Sequence, residues 1–345
     1  MPGVVIDQQP PPAPRVIGPK TKSITRPSKP LPQYLLDESK LTPKEDFDPK
    51  KHLDIQAPEK MLMMKDIGLE GHGISTHAVA GPFKLFSDDA IRQFRREIFS
   101  EEVLRDCQFA STFNKHMIRA MGPVRAPFTY AAWKSPELLA AVSKAAGIEV
   151  VPLMDNEIAQ INVSVNDETT PTPDPRALEE DPLADGSSVA WHYDSVPFVC
   201  VVMLSDCTNM VGGETALKMP SGEIMKVRGP TMGTAVVMQG RYIEHQALKA
   251  FGGKERISMV TSFRAKSPLV RDETVFTGIR CCSYRNELYT QYTEYRLEML
   301  EERIRAKLKE ERERQRAKRD FDTEATRRWL KEQRAFLDSM LEELQ

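Results

Sequence analysis

The chain has 345 residues, 40% hydrophobic and 28% charged, with a formal net charge of −2. That is enough apolar material for one large domain or two small ones, and the charge argues against whole-protein affinity for nucleic acid or anionic membrane. There is no run of about 18 apolar residues to span a bilayer, and no basic start with an apolar stretch to act as a secretory signal.

In chain order, residues 1–60 hold 12 of the 25 prolines and few large apolar residues. Such a segment is expected to be an extended, disordered tail. Order is expected from Met61. Ser87 then reads as a helix cap, with Asp88 and Asp89 at the positive end of the dipole and Ile91, Phe94 and Ile98 at helical spacing. Ser135, Pro136 and Gly147 bracket a second helix with Leu138, Leu139 and Val142 on its buried side.

After Gly147 the pattern becomes short strands: IEVVPL, EIAQINVSV, VAWHYD, FVCVVMLSD, GGETALKM, EIMKVR, GTAVVMQG, IEHQAL and ISMVTSFR. Helices come before the strands rather than between them, which favours an antiparallel, double-layered sheet over a doubly wound parallel one. The polar stretch 166–188 interrupts this run as an insertion placed to act as a lid, although plain disorder accounts for its composition equally well. From Ser283 the period is helical, with a stripe Leu288, Tyr292, Tyr295, Met299, Ile304 and Leu308. A last helix capped by Asp322 or Thr323 would carry Leu330, Leu337, Leu341 and Leu344. The organisation expected is a tail (1–60), a catalytic domain (61–275) and a charged helical extension (276–345). That extension is expected to dock on the domain, with dimerisation through it as the lesser reading.

Among six histidines, His192 stands two residues before Asp194. On a strand, positions i and i+2 project from one face, so an imidazole and a carboxylate are aimed at one point. His245, about 50 residues on, would complete a two-His, one-carboxylate set of the kind that holds non-haem iron(II) with open coordination positions. Arg256 and Ser258 share a strand face further along. A guanidinium with a hydroxyl beside it is a receptor for a carboxylate.

Together His192-Tyr193-Asp194, His245 and Arg256-Ile257-Ser258 resemble the HxD…H…RxS pattern of the iron(II)/2-oxoglutarate-dependent dioxygenases. The resemblance spans roughly residues 150–265. It implies a double-stranded β-helix (jelly roll) core, with iron(II) on His192, Asp194 and His245. It also implies 2-oxoglutarate held through Arg256 and Ser258, and O2 as the other cosubstrate. Asn162 and Gln160 match in placement the upstream strand that often touches the cosubstrate. Many relatives have Tyr two positions after such an Asn and this chain has Ser164, so a plain strand amide is an equal reading for Asn162. The intact Asp194 implies hydroxylation or a related C–H oxidation rather than halogenation, coupled to release of succinate and CO2.

Weaker features read as structural. Gly212-Gly213 suits a tight turn. Tyr193, Ser195 and Arg241 suit packing around the ligands more than substrate contact, and Trp191 suits the core. Arg264 ranks below Arg256 as a carboxylate partner. Cys200 and Cys207 suit inert thiols. Five cysteines without a CxxC pair favour reduced thiols. The expected partner is a small-molecule substrate, with an oxygenase acting on protein or nucleic acid as the alternative and a non-catalytic jelly-roll binding protein behind both. Neither a membrane nor a nucleic-acid partner is favoured. The cytoplasm is the expected compartment, with the nucleus left open and secretion disfavoured.

Overall fold

A computed structural model describes residues 11–165, 191–208, 210–227 and 231–345. The strands are β1 Met61–Met63, β2 His77–Lys84, β3 Gln108–Phe109, β4 Met117–Ile118, β5 Val150–Pro152, β6 Gln160–Val165, β7 Phe198–Met203, β8 Val211–Gly212, β9 Thr215–Lys218, β10 Ile224–Val227, β11 Thr234–Met238, β12 Glu244–Ala247, β13 Ala250–Phe251 and β14 Glu255–Ala265. The helices that matter below are α1 Gln33–Leu41, α2 Asp88–Ile98, α3 Pro127–Trp133, α4 Pro136–Ala146, α5 Arg285–Arg316 and α6 Thr323–Glu343.

The large sheet runs β1-β2-β11-β7-β14-β6-β4-β3, with β5 also on β14, and its pairings are antiparallel. A small sheet, β10-β9-β12, and a two-strand pair, β13-β8, complete the strands. The fold is thus mainly antiparallel sheet with helices.

Strand alternation sorts the side chains of the large sheet into two faces. Ile161 and Val163 of β6, Val202 of β7, and Ile257, Met259 and Phe263 of β14 pack with Phe94, Ile98, Trp133, Leu138 and Val142 from α2, α3 and α4. The caps expected for α2 and α4 are present. Ser87 accepts from the Ala90 amide, Ser135 accepts from the Leu138 amide, and Gly147 ends α4 in the left-handed region. The opposite face brings Val199, Val236 and Met238 against Leu217 and Val227 of the small sheet. Arg256, Ser258, Asn162 and Ser164 alternate onto this second face.

Three expectations differ from the structure. Within residues 11–60, expected to be a disordered tail, α1 buries Leu35 and the preceding chain buries Leu31. Arg95 of α2 ion-pairs with Glu38 and Glu255, and Tyr34 donates to Glu255 at 2.6 Å. A few well-placed side chains therefore hold a proline-rich segment onto the domain. The stripe on α5 is buried from Leu288 to Met299, but Ile304 and Leu308 are 42% and 49% exposed. On α6 the predicted Leu330, Leu337 and Leu341 face outward, and Gln333, Phe336 and Met340 are buried instead. Phe336 turns the helix this way because its ring lies between the guanidinium groups of Arg296 and Arg303, 3.6 and 4.2 Å from its centroid. Buried cation–π contacts of this kind outweigh a leucine on solvent. The 166–188 insertion lies outside the described residues.

Candidate metal centre

His192 was expected on a strand, but among the described residues it forms a single bridge. Its backbone exchanges N–H···O bonds of 3.0 Å in both directions with His245 of β12. Two residues on, the Asp194 amide donates to Gly240 O at 2.8 Å. Backbone bonds thus set all three side chains relative to one another.

His192, Asp194 and His245 meet, with one ligand atom of each within 4.8 Å of the others. Asp194 Oδ1 is 3.4 Å from His192 Nε2 and 3.7 Å from His245 Nε2. The His245 Nδ1 lies 2.9 Å from Ile243 O. A carbonyl only accepts, so Nδ1 carries the hydrogen and Nε2 turns its lone pair to the cluster.

Burial pulls the Asp194 pKa up, but His245, His192 and Arg241 pull it down further, and the net shift is below the ordinary value. Burial lowers the His245 pKa, with Asp194 opposing. The cluster therefore favours a carboxylate beside a neutral imidazole, the protonation state a divalent metal requires. Asp194 Oδ2 is buried with no hydrogen-bond partner. A carboxylate oxygen left bare in the interior is costly unless something fills its place, and a cation does so.

Gly240 is a neighbour of the cluster that the sequence pattern did not reveal. A Cβ at this position would sit 1.7 Å from Asp194 Oδ2, and its three nearest atoms all belong to Asp194. The Asp194 carboxylate occupies the volume of the missing side chain.

On the second face of the large sheet, β14 and β6 set Ser258 opposite Asn162 and Arg256 opposite Ser164. Arg256 is half-buried, and burial lowers its pKa. Among the described residues it has no carboxylate partner, whereas Arg119, Arg296 and Arg280 pair with Glu157, Asp272 and Glu343. Asn162 Oδ1 accepts from Asn114 Nδ2 at 2.9 Å. Its neighbour Phe113 reaches the His192 ring at 6.2 Å between centroids. The 111–116 loop thus joins the Asn162 strand to His192, and no spacing rule signals it.

The remaining expectations resolve as follows. Arg241 is buried and donates to Glu273 O at 2.9 Å and to Pro14 O, a structural clasp. Ser195 Oγ accepts from the Gly278 amide at 3.0 Å. Tyr193 is half-buried. Trp191, expected in the core, is also half-buried, with Lys218 5.9 Å from its ring centroid. Arg264 lies 5.2 Å from the Tyr295 ring, six residues along β14 from Ser258. Gly212 and Gly213 have φ of 81° and 80°, as a tight turn requires. Burial pushes the Cys200 thiol well up and the Cys207 thiol up, as inert thiols would be.

No protein-family model and no curated protein matches the chain. Solved structures do. One, described as an oxidoreductase of the 2OG-Fe(II) oxygenase family from Burkholderia pseudomallei, is 14% identical with a TM-score of 0.31, over 43% of this chain and 65% of that one. A Pseudomonas putida prolyl-4-hydroxylase is 18% identical with a TM-score of 0.25, over 44% and 72%. AviO1 from Streptomyces viridochromogenes is 16% identical with a TM-score of 0.36, over 55% and 90%. The chain therefore spans slightly under two thirds of the first of these structures. Likeness at this level carries no argument about chemistry, which rests on the site itself.

Proposed function

We propose that the protein is a 2-oxoglutarate- and iron(II)-dependent dioxygenase. It would oxidise a C–H bond of a small molecule, by hydroxylation or a related reaction, with release of succinate and CO2. In this reading the two antiparallel layers are a jelly roll open at the His192–His245 end. The observation that carries the proposal is the presence of two features, one on the small sheet and one on the face of the large sheet that packs against it. One is a His-Asp-His cluster with a bare buried carboxylate oxygen. The other is a guanidinium without an acid partner among the described residues, with Ser258 two positions on and Asn162 across from it.

His192 Nε2, His245 Nε2 and Asp194 would hold the iron. The donor set fits, since two neutral imidazoles and a carboxylate leave coordination positions for cosubstrates. Bound iron supplies the activation of O2 that no amino-acid side chain provides. Arg256 and Ser258 would bind the far carboxylate of 2-oxoglutarate by charge-assisted hydrogen bonds, and Asn162 would border it. Ile243 O orients His245, and Gly240 leaves room for Asp194. The triad side chains are only 17%, 18% and 8% exposed. A recessed centre of this kind limits water and suits a small substrate.

The test is anaerobic addition of iron(II) and 2-oxoglutarate, read by the metal-to-ligand charge-transfer absorption. O2 is then admitted with a metabolite pool and succinate is followed. Absence of iron-dependent 2-oxoglutarate binding would sink the proposal.

A further inference from the structure

The C-terminal hairpin carries an apolar row that its own chain does not cover. On α5 the buried residues are Leu288, Tyr292, Tyr295, Arg296, Met299 and Arg303. Leu297, Ile304 and Leu308 lie about 150° round the helix from these, at about 100° per residue. They are 50%, 42% and 49% exposed, and with Leu300, Glu301 and Arg305 they line an open groove. Leu297, Glu301, Ile304 and Leu308 follow one another at steps of four, three and four. That is the spacing of a coiled-coil seam. On α6, Leu330, Leu337 and Leu341 are exposed as well. A row of this length on an otherwise charged helix marks a contact surface.

We propose that the row is the contact between two copies of this chain, with α5 of one copy antiparallel to α5 of the other. Charge selects both the occupant and the direction. Glu298 and Arg305 flank the seam, both exposed and seven residues apart. A two-fold axis between Glu301 and Ile304 sets Leu297 against the partner's Leu308. It also brings Glu298 within reach of the partner's Arg305, and symmetry makes each contact twice. Parallel pairing would instead set Glu298, at an e position, against the partner's Thr293, and would form no such ion pair. Glu301, on the seam, is tied to Arg305 of its own helix at 2.6 Å, so it does not face the other copy as a bare charge. A lipid surface would call for cations along the row, and this flank carries both signs.

The test is sedimentation equilibrium of the full chain over a range of concentrations. The expected result is a reversible dimer. Ile304→Glu should be monomeric at every concentration, with an unchanged circular dichroism spectrum. Glu298→Arg, an exposed change, should weaken the dimer about tenfold by facing the partner's Arg305. Adding Arg305→Glu to it should restore affinity to near wild type. A wild-type chain that stays monomeric overturns the proposal. So does a dimer that survives Ile304→Glu, or a double charge swap that gives no recovery.

Discussion

Gly240→Ala is the sharpest perturbation of the centre, because the substitution adds one methyl group and changes no ligand. The new Cβ would lie 1.7 Å from Asp194 Oδ2, where ordinary contact begins at 3.4 Å, so the carboxylate must retreat by about 1.7 Å. Gly240 is not among the glycines with positive φ, so alanine brings no backbone strain of its own. The Gly240 carbonyl still accepts from the Asp194 amide, which holds the ligand's backbone while its side chain is pushed away. A site displaced by an ångström or more typically loses about a hundredfold. We therefore expect iron(II) affinity to fall at least about a hundredfold, or roughly 2.7 kcal/mol. The assay is anaerobic iron(II) titration, with cobalt(II) absorption as a second reading of coordination geometry. In an Asp194→Ala background the added methyl still meets the Cβ of residue 194 at 3.1 Å but no longer the carboxylate, so its effect on thermal stability should be much smaller there. Wild-type metal affinity in Gly240→Ala would refute the assignment of Asp194 to the metal.

Asp194→Ala itself should lose iron binding in the same titration, because two imidazoles alone hold the ion poorly, and equal affinity to wild type would contradict the ligand set. Arg256→Ala should leave iron affinity unchanged and weaken 2-oxoglutarate about a hundredfold, as expected when a charged double hydrogen bond is removed, read as the concentration that develops the charge-transfer band. The pH dependence follows from His245. Burial lowers its folded-state pKa, so below the ordinary histidine value the unfolded chain binds this proton before the folded chain does. Stability of the metal-free protein should therefore fall as pH drops through about 6.5 and onward to the lowered value. Urea denaturation should show that slope in wild type and a flatter one in His245→Asn.

The elements legible in the sequence were those with local causes. The α2 and α4 caps, the Gly212-Gly213 turn and the run of short strands each depend on residues within a few positions of one another. What was not legible depends on partners distant in sequence. Leu31 and Leu35 are two apolar residues in a proline-rich stretch, and nothing local says that a groove beside α2 accepts them. The orientation of α6 was missed for the same reason. Its leucines form the better stripe by hydropathy, but Phe336 finds two guanidinium groups on another helix, some 30 to 40 residues back.

The same division runs through the candidate site. His192 and Asp194 were readable because two residues on an extended chain already share a direction. Gly240 was not, because a missing side chain shows its purpose only when the carboxylate that fills its place comes from 46 residues away. Arg256 falls between these cases. Ser258 beside it singled it out from Arg264 in the sequence, and the structure supplies a separate physical reason. Burying a guanidinium is expensive unless an anion meets it. The chain provides that anion for Arg95, Arg119, Arg280 and Arg296. For Arg256 no carboxylate among the described residues does so, while burial already works against its charge. An arginine kept under that penalty, on the sheet face that packs against the small sheet carrying His245, is where the proposed 2-oxoglutarate carboxylate would relieve it.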